Sequence, residues 1–136
     1  MDAETVNKLL AINRAFYSQF SADFSDSRSS NYFNIEPFRE YLTDGIRLLD
    51  VGCGNGLPAL HEIAARGHRA LGVDVSARQV ELARANVPQA SVLHADAREL
   101  RFEPGSFDAV VSFYALDQIP REQHLETLAR WRTWLR

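Results

Sequence analysis

Three closely spaced glycines stand where a ligand could approach the backbone. Gly52, Gly54 and Gly56 follow directly on an apolar run, within the stretch "LLDVGCGNGLPAL" at residues 48–60. Glycine permits both the dihedral angles of a tight turn and the close approach of a ligand to the main chain. A loop of this kind at the start of a helix also offers backbone amides as hydrogen-bond donors. The spacing therefore indicates a nucleotide-like ligand against this loop.

The glycine loop alone is compatible with more than one class of protein. Read from Gly54, "GNGLPA" fits the G-x-G-x-x-A form of the dinucleotide fingerprint. Asp74 ends the next predicted strand, where a carboxylate can accept hydrogen bonds from ribose hydroxyls. These two features favour a nicotinamide-dependent dehydrogenase and an adenosine-binding transferase equally. A glycine-rich turn without a ligand is the third interpretation.

Two further acids favour a cationic ligand. Asp50 precedes Gly52 by two residues, and its carboxylate would repel a pyrophosphate but attract ammonium and sulfonium groups. Asp96 ends the third predicted strand and suits a donor such as the exocyclic amine of adenine. Each acid alone could be a helix cap or a loop carboxylate. Together with Asp74 they place three acids at successive strand ends, which favours a cationic nucleoside over a diphosphate.

These residues need a sheet whose strands end at one edge. Apolar runs at residues 46–51, 69–75, 90–96 and 107–113 predict four strands, and helical patterns follow the first two. Runs that are apolar throughout, rather than alternating, indicate parallel strands covered on both faces. We therefore predict the α/β class, with a Rossmann-like doubly wound parallel sheet of about four strands in the order 3-2-1-4.

The helices have recognisable starts. Apolar residues at helical spacing predict a first helix over residues 3–24. Ser76 and Gln79 have the spacing of a capping box, in which each side chain bonds the other residue's backbone N–H. Pro120 opens a last helix that is predicted to run nearly to Arg136.

Composition argues against several other functions. The 15 basic residues are fourteen Arg and Lys8, spread along the chain and outnumbered by 18 acids, which disfavours a nucleic-acid surface. No apolar run predicts a signal peptide or a membrane span. Cys53 is the only cysteine, which excludes an internal disulfide and predicts a cytoplasmic location. The four histidines lack metal-ligand spacing, so no metal site is predicted.

Four motifs in order resemble those of the class I S-adenosylmethionine-dependent methyltransferases, in particular the type 11/25-like domains. "LLDVGCGNG" is similar to their first motif and "ALGVDVS" to their acidic second motif. "HADAREL" is similar to the third and "FDAVVSFYALDQIP" to the fourth. The resemblance runs from about residue 46 to the end of the chain. It implies S-adenosyl-L-methionine as the cofactor and methyl transfer as the reaction.

The resemblance also implies a role for each matching position. The glycine loop would lie against the methionine and ribose parts of the cofactor, and Asp50 would help to hold the methionine ammonium, directly or through water. Asp74 would bind the ribose hydroxyls, with Val75 against the adenine. Asp96 and the backbone amide of Ala97 would meet the adenine amine and a ring nitrogen. The implied cofactor-binding residues are Asp50, Gly52, Cys53, Gly54, Gly56, Asp74, Val75, Asp96, Ala97, Ser112 and Phe113.

The resemblance points to a small-molecule acceptor and leaves the catalytic residue unassigned. "SFYALDQIP" lacks the Pro-Pro-Tyr-type core of many methylases that act on exocyclic amines of DNA bases, and it is similar to the small-molecule enzymes. A sulfonium is an excellent leaving group, so alignment of the acceptor with the methyl group can suffice for catalysis. Tyr114, Asp117 and His124 could act as a base, but the role expected for each is packing, capping or a place on a solvated helix face.

The N-terminal part is predicted to form a lid over the cofactor and the substrate. The stretch "FYSQFSADFSDSR", residues 16–28, is similar to one in some tRNA wobble-uridine methyltransferases, which makes tRNA the alternative acceptor. We predict a helical lid segment over residues 1–45 and a cofactor-binding core over residues 46–136. Helical spacing explains most of the segment's aromatic residues as packing, and Tyr17 is predicted to contact the cofactor. The aromatic residues are Phe16, Tyr17, Phe20, Phe24, Tyr32 and Phe33.

The family generally continues beyond the last helix with Pro-Gly-Gly and three further strands, which this chain lacks. The fourth strand is therefore expected to form an exposed edge, which is prone to pair with another strand. We expect either a chain that is C-terminally truncated relative to the family or a homo-oligomer that pairs through this strand. A cofactor-binding fragment without turnover is the non-enzymatic alternative.

Overall fold

A four-stranded parallel sheet forms the centre of the protein. The computed structural model describes residues 2–20, 36–113 and 115–136, without the side chains of Tyr17 and Ser18. Its strand order is β3-β2-β1-β4, and every pair of neighbours is parallel. The predicted α/β class and the strand order 3-2-1-4 are confirmed. The strands are β1 (Arg47–Val51), β2 (Arg69–Asp74), β3 (Ser91–His94) and β4 (Ala109–Val111).

The described helices pack around this sheet, and α1 lies near the carboxyl ends of its strands. The α-helices are α1 (Ala3–Gln19), α2 (Ala59–Ala65), α3 (Ala77–Asn86) and α4 (His124–Thr133). The first is shorter than the predicted 3–24, because Phe20 leaves the helical backbone and caps the helix. Short 3₁₀ helices span Glu36–Tyr41, Leu116–Gln118 and Arg121–Gln123. Within the described ranges, no helix combines the length and the apolar character that crossing a membrane requires.

The central strand β1 is buried on both faces, which explains its uninterrupted apolar run, whereas the edge strand β3 is largely exposed, contrary to the expectation that all four strands are covered. Leu48 of β1 packs with Leu60 and Ile63 of α2 on one face. Leu49, the next residue of β1, packs on the opposite face with Trp131 of α4. All four of the apolar side chains from β1 and α2 are fully buried. Successive side chains of a strand point to opposite faces of the sheet. A strand that is covered on both faces therefore has apolar residues at all positions except those with a polar function.

The start of α3 departs from the predicted capping box. The Gln79 backbone N–H donates to Ser76 Oγ over 3.4 Å, as predicted. The Ser76 backbone N–H, however, donates to Asp74 Oδ1 over 2.9 Å instead of to the Gln79 side chain. The carboxylate reaches this N–H from two residues earlier and is the stronger acceptor. The side chain of Gln79 is therefore released from capping.

The C-terminal residues turn back onto the sheet. The helix α4 ends at Thr133, and Trp134 is buried in the core with 1% of its surface exposed. The Phe107 N–H donates to Trp134 O over 3.0 Å, and the Arg136 N–H donates to Phe107 O over 3.1 Å. Strand β4 is the edge of the sheet, as predicted, but the backbone just before it is paired with this C-terminal segment.

Candidate functional site

A cleft opens at the carboxyl ends of the strands, where ligands bind in sheets of this type. It spans about 870 Å³, its open mouth included, and is bounded by the glycine loop, the ends of β2 and β3, one face of α1, Phe113, Ala115, Gln118 and Ile119. Seven of the twelve predicted cofactor-binding residues line it. They are Gly52, Gly54, Asp74, Val75, Asp96, Ala97 and Phe113.

The three glycines of the loop serve different purposes, although each has a positive φ angle. A Cβ atom at Gly52 would lie 2.1 Å from the Cβ of Ala115, and one at Gly56 would lie 2.8 Å from a methyl of Val87. Packing of the protein against itself therefore requires these two glycines. At Gly54 the nearest atom to such a Cβ would be 3.8 Å away, and the space in front of it belongs to the cleft.

Asp74 is held at the cleft by two backbone groups. The Gly54 N–H donates to its Oδ2 and the Ser76 N–H to its Oδ1, each over 2.9 Å. Burial raises the pKa of Asp74, and these hydrogen bonds oppose the rise. Each carboxylate oxygen can accept two hydrogen bonds, so both retain capacity for a donor in the cleft. This arrangement suits a pair of hydroxyl groups.

Asp50 is a buried carboxylate without a hydrogen-bond partner among the described residues. It is 1% exposed, and both of its oxygen atoms are fully buried. Burial, together with the negative charge of Asp74, raises the pKa of Asp50 to about 7. Leaving a buried carboxylate unpaired is costly, and a cation or a strong donor bound nearby would relieve that cost. Asp50 is the penultimate residue of β1, two positions before Gly52, and does not itself line the cleft.

Asp96 is occupied by two arginines, contrary to its expected role as an open acceptor. Its Oδ1 accepts from the Arg98 N–H over 2.9 Å and from Arg98 Nε over 3.2 Å. Its Oδ2 accepts from Arg98 Nη2 over 2.8 Å and from Arg14 Nη2 of α1. Burial favours a higher pKa for Asp96, but Arg98 and Arg14 hold it below its usual range. All four acceptor positions of the carboxylate are in use, so an amine of the ligand must displace one guanidinium group.

Comparison with known proteins identifies the family. A family model described as a methyltransferase domain matches residues 48–136. The chain belongs to this methyltransferase domain family. The resemblance carried by the four sequence motifs is thereby confirmed, and the assignment gives no support to a nicotinamide-dependent dehydrogenase.

Individual relatives of this methyltransferase domain agree with that assignment. The chain is 38% identical over 90 residues to the 27-O-demethylrifamycin SV methyltransferase of Amycolatopsis mediterranei, a match that covers 62% of this chain and 33% of that protein. It is 26% identical to the solved S-adenosylmethionine-dependent methyltransferase of Mesorhizobium loti, with a TM-score of 0.66 and coverage of 79% and 51%. The chain spans about a third of the length of the curated relatives that it matches.

A more distant structure shows how far the fold extends. The Haemonchus contortus phosphoethanolamine N-methyltransferase 1, solved with phosphoethanolamine and S-adenosylhomocysteine, has a TM-score of 0.78. The likeness covers 100% of this chain and 31% of that one, at 19% identity. At this identity the comparison supports the fold of the methyltransferase domain and nothing finer.

Besides Asp50, three of the predicted site residues with described side chains do not line the cleft. Cys53 is buried beside Gly72 in the core, where burial raises the pKa of its thiol. Gly56 packs against α3, as described above, and faces no ligand space. Ser112 does not line the cleft, and its Oγ is buried without a partner among the described atoms. Tyr17 belongs to α1, and its side chain lies outside what the structure describes.

The candidates for a catalytic base receive little structural support. His124 Nε2 is hydrogen-bonded to the carbonyl oxygen of Ile119 over 2.7 Å, which ties the start of α4 to the segment before it. Asp117 is exposed on a 3₁₀ helix and does not line the cleft. Three aromatic residues of the predicted lid, together with the third candidate base, lie outside the described residues. They are Phe24, Tyr32, Phe33 and Tyr114.

Other residues of the cleft were missed from the sequence. Leu10, Asn13 and Arg14 reach it from one face of α1, and Gln79 reaches it from the first turn of α3. The spacing of 10, 13 and 14 marks one helical face, but nothing local indicates that this face meets a cleft. The capping-box spacing accounts for Gln79 locally and does not indicate that its side chain reaches a cleft.

Proposed function

We propose that the chain is the cofactor-binding core of an S-adenosylmethionine-dependent methyltransferase whose acceptor is a small organic molecule. The family assignment supports the reaction class. A relative named as a 27-O-demethylrifamycin SV methyltransferase supports a small-molecule acceptor, with an oxygen as the methylated atom. The net charge of −3 makes tRNA the weaker candidate.

The observation that carries this proposal is the unpartnered carboxylate of Asp50. A buried acid with both oxygens unsatisfied fits a ligand that brings an ammonium group, as the methionine part of the cofactor does; because Asp50 does not itself line the cleft, a bridging water would carry this contact. A pyrophosphate at the same loop would face the charges of both Asp50 and Asp74. The open space in front of Gly54 and the spare acceptor capacity of Asp74 fit the ribose.

The residues of the chain would act by binding and orientation. S-adenosylmethionine supplies a methyl group on a sulfonium, which transfers to a nucleophile without prior activation by the protein. Asp74 would hold the ribose hydroxyls, and Val75 and Ala97 would flank the adenine. Gly52 and Phe113 would line the methionine end, with Ser112 behind them. Correct alignment of an acceptor at near-attack distance supplies most of the rate enhancement that such a site requires. No catalytic residue is assigned.

The first test compares ligands on Asp74→Asn. Wild-type protein is expected to bind S-adenosylhomocysteine in isothermal calorimetry and to give no heat with NAD. Asp74→Asn should bind S-adenosylhomocysteine about a hundredfold more weakly, because an uncharged amide loses charge-assisted hydrogen bonds to both hydroxyls. Asp44→Asn, at an exposed turn, should bind like wild type. Heat with NAD and none with S-adenosylhomocysteine would contradict the proposal.

A second prediction concerns the arginine that occupies Asp96. We expect Arg14→Gln to strengthen binding of S-adenosylhomocysteine by about threefold, because the adenine amine then no longer competes with a half-exposed ion pair. The gain should shrink as sodium chloride is raised, since salt already weakens that pair in the wild type. Arg78→Gln, which removes an exposed ion pair within α3, is the control. Weaker binding by Arg14→Gln would instead show that Arg14 contacts the ligand.

Several further predictions from the sequence are part of this proposal. The segment over residues 1–45 acts as a lid, an idea supported by the residues of α1 that line the cleft. Tyr17 contacts the cofactor from that segment, and Asp96 completes the cofactor's surroundings. Association of two copies through β4 and a cytoplasmic location likewise remain predictions from the sequence.

A further inference from the structure

The side chain of Gln79 brings a buried amide oxygen to the cleft. Only 3% of the residue is exposed, and its Oε1 is fully buried without a hydrogen-bond partner among the described residues. Its backbone N–H donates to the capping Ser76 Oγ, but its side chain does not complete the capping box, because the N–H of Ser76 donates to Asp74 instead. An unsatisfied buried amide oxygen costs free energy, so its retention at a ligand cleft suggests a donor that arrives with the ligand.

The position of this oxygen limits which donor it can meet. Gln79 Oε1 is the atom nearest to where a Cβ of Gly54 would lie, at 3.8 Å. The backbone N–H of the same glycine is bonded to Asp74 Oδ2 over 2.9 Å. Two acceptors therefore stand around Gly54, one from the end of β2 and one from the first turn of α3. A vicinal diol carries two O–H donors at a spacing that suits such a pair.

We propose that Gln79 is a further ligand-binding residue, whose side-chain amide accepts a hydrogen bond from a ribose hydroxyl next to Asp74. The inference rests on the proposed function, because the cofactor's ribose is the source of the diol. Gln79 would recognise one ribose hydroxyl, in addition to the contacts that the Asp74 carboxylate makes with the ribose. The site would therefore bind a sugar that lacks this hydroxyl more weakly, because the buried oxygen of Gln79 would then stay unpaired.

Calorimetry with three ligands tests the assignment on Gln79→Met, which keeps the length of the side chain and removes its polar atoms. The ligands are S-adenosylhomocysteine and its 2′-deoxy and 3′-deoxy analogues. The variant is expected to bind S-adenosylhomocysteine about tenfold more weakly than wild type. With one of the deoxy analogues, variant and wild type should bind equally, because the hydroxyl that Gln79 contacts is already missing. Gln89→Met, at an exposed site, is the matched control.

The outcomes separate this inference from the proposed function. Equal affinity of Gln79→Met and wild type for S-adenosylhomocysteine would overturn it, as would the same loss with all three ligands. The melting temperature of the free variant should be no lower than that of wild type, because the amide has no partner to lose; a clear drop would indicate a structural role instead. Wild-type protein that does not bind S-adenosylhomocysteine at all would overturn the proposed function as well.

Discussion

Asp50→Asn is expected to stabilise the free protein at pH 8 while it weakens binding of S-adenosylhomocysteine about a hundredfold. The stabilisation follows from burial, since a carboxylate that is 1% exposed and unpaired carries its charge at a cost to the fold. The loss of binding follows from removing the charge that would face the ligand's ammonium group, an interaction in the range of other charge-assisted hydrogen bonds. One substitution thus moves stability and affinity in opposite directions.

The direction in which stability changes with pH follows from the shifted pKa of Asp50. The pKa of Asp50 is raised in the folded protein, from an ordinary 3.8 to about 7, so the folded state holds a proton that the unfolded state has released. Its contribution to stability is fully present below pH 3.8 and is lost as the pH rises through about 7. The full difference corresponds to on the order of 4 kcal/mol. Wild type and Asp50→Asn should therefore have similar stability at pH 4 and diverge up to pH 8.

Urea denaturation from pH 4 to pH 8, with wild type, Asp50→Asn and the exposed control Asp44→Asn, measures this divergence. Calorimetry over the same range should show the affinity of wild type for S-adenosylhomocysteine rising with pH up to about 7, because the ligand favours the ionised carboxylate. Asp50→Asn should show no such rise. Parallel stability curves for the two proteins would mean that Asp50 is already paired in the free protein.

The features that sequence alone predicted are those that depend on residues close together in the chain. An apolar run such as 46–51 predicts a strand covered on both faces because every side chain in it must be buried. The order of strands follows from the preferred handedness of parallel crossovers and from the position of the glycine loop. Asp74 was placed correctly at the cleft, because the end of a parallel strand fixes which edge its last side chain occupies.

The features that sequence missed depend on contacts between distant segments. Arg14 reaches Asp96 across 82 positions, and no local pattern indicates which face of α1 meets the sheet. Gln79 was misassigned because the capping box is a local rule, while its competitor for the Ser76 N–H comes from the end of the preceding strand. Gly52 looked like a ligand-binding glycine, and only the fold reveals that Ala115 packs against it.

Gly52→Ala is expected to destabilise the protein severely, for a reason that concerns the protein rather than its ligand. Gly52 has φ +78°, and an L residue at such an angle costs about 1–2 kcal/mol. The added Cβ would also lie 2.1 Å from the Cβ of Ala115, so the loop or the neighbouring segment must shift. Overpacking of this kind costs a further 1–3 kcal/mol, roughly, which brings the expected total to about 4 kcal/mol.

Gly67→Ala separates the two causes, because Gly67 has φ +82° but nothing within 4 Å of an added Cβ. It should lose only about 1–2 kcal/mol in urea denaturation. The double variant Gly52→Ala with Ala115→Gly removes the clash and keeps the strained angle, so it should recover most of the difference between the two alanine variants. If Gly52→Ala and Gly67→Ala lose the same free energy of unfolding, the loop relieves the clash at no cost. In that case the glycine would be retained for the ligand after all.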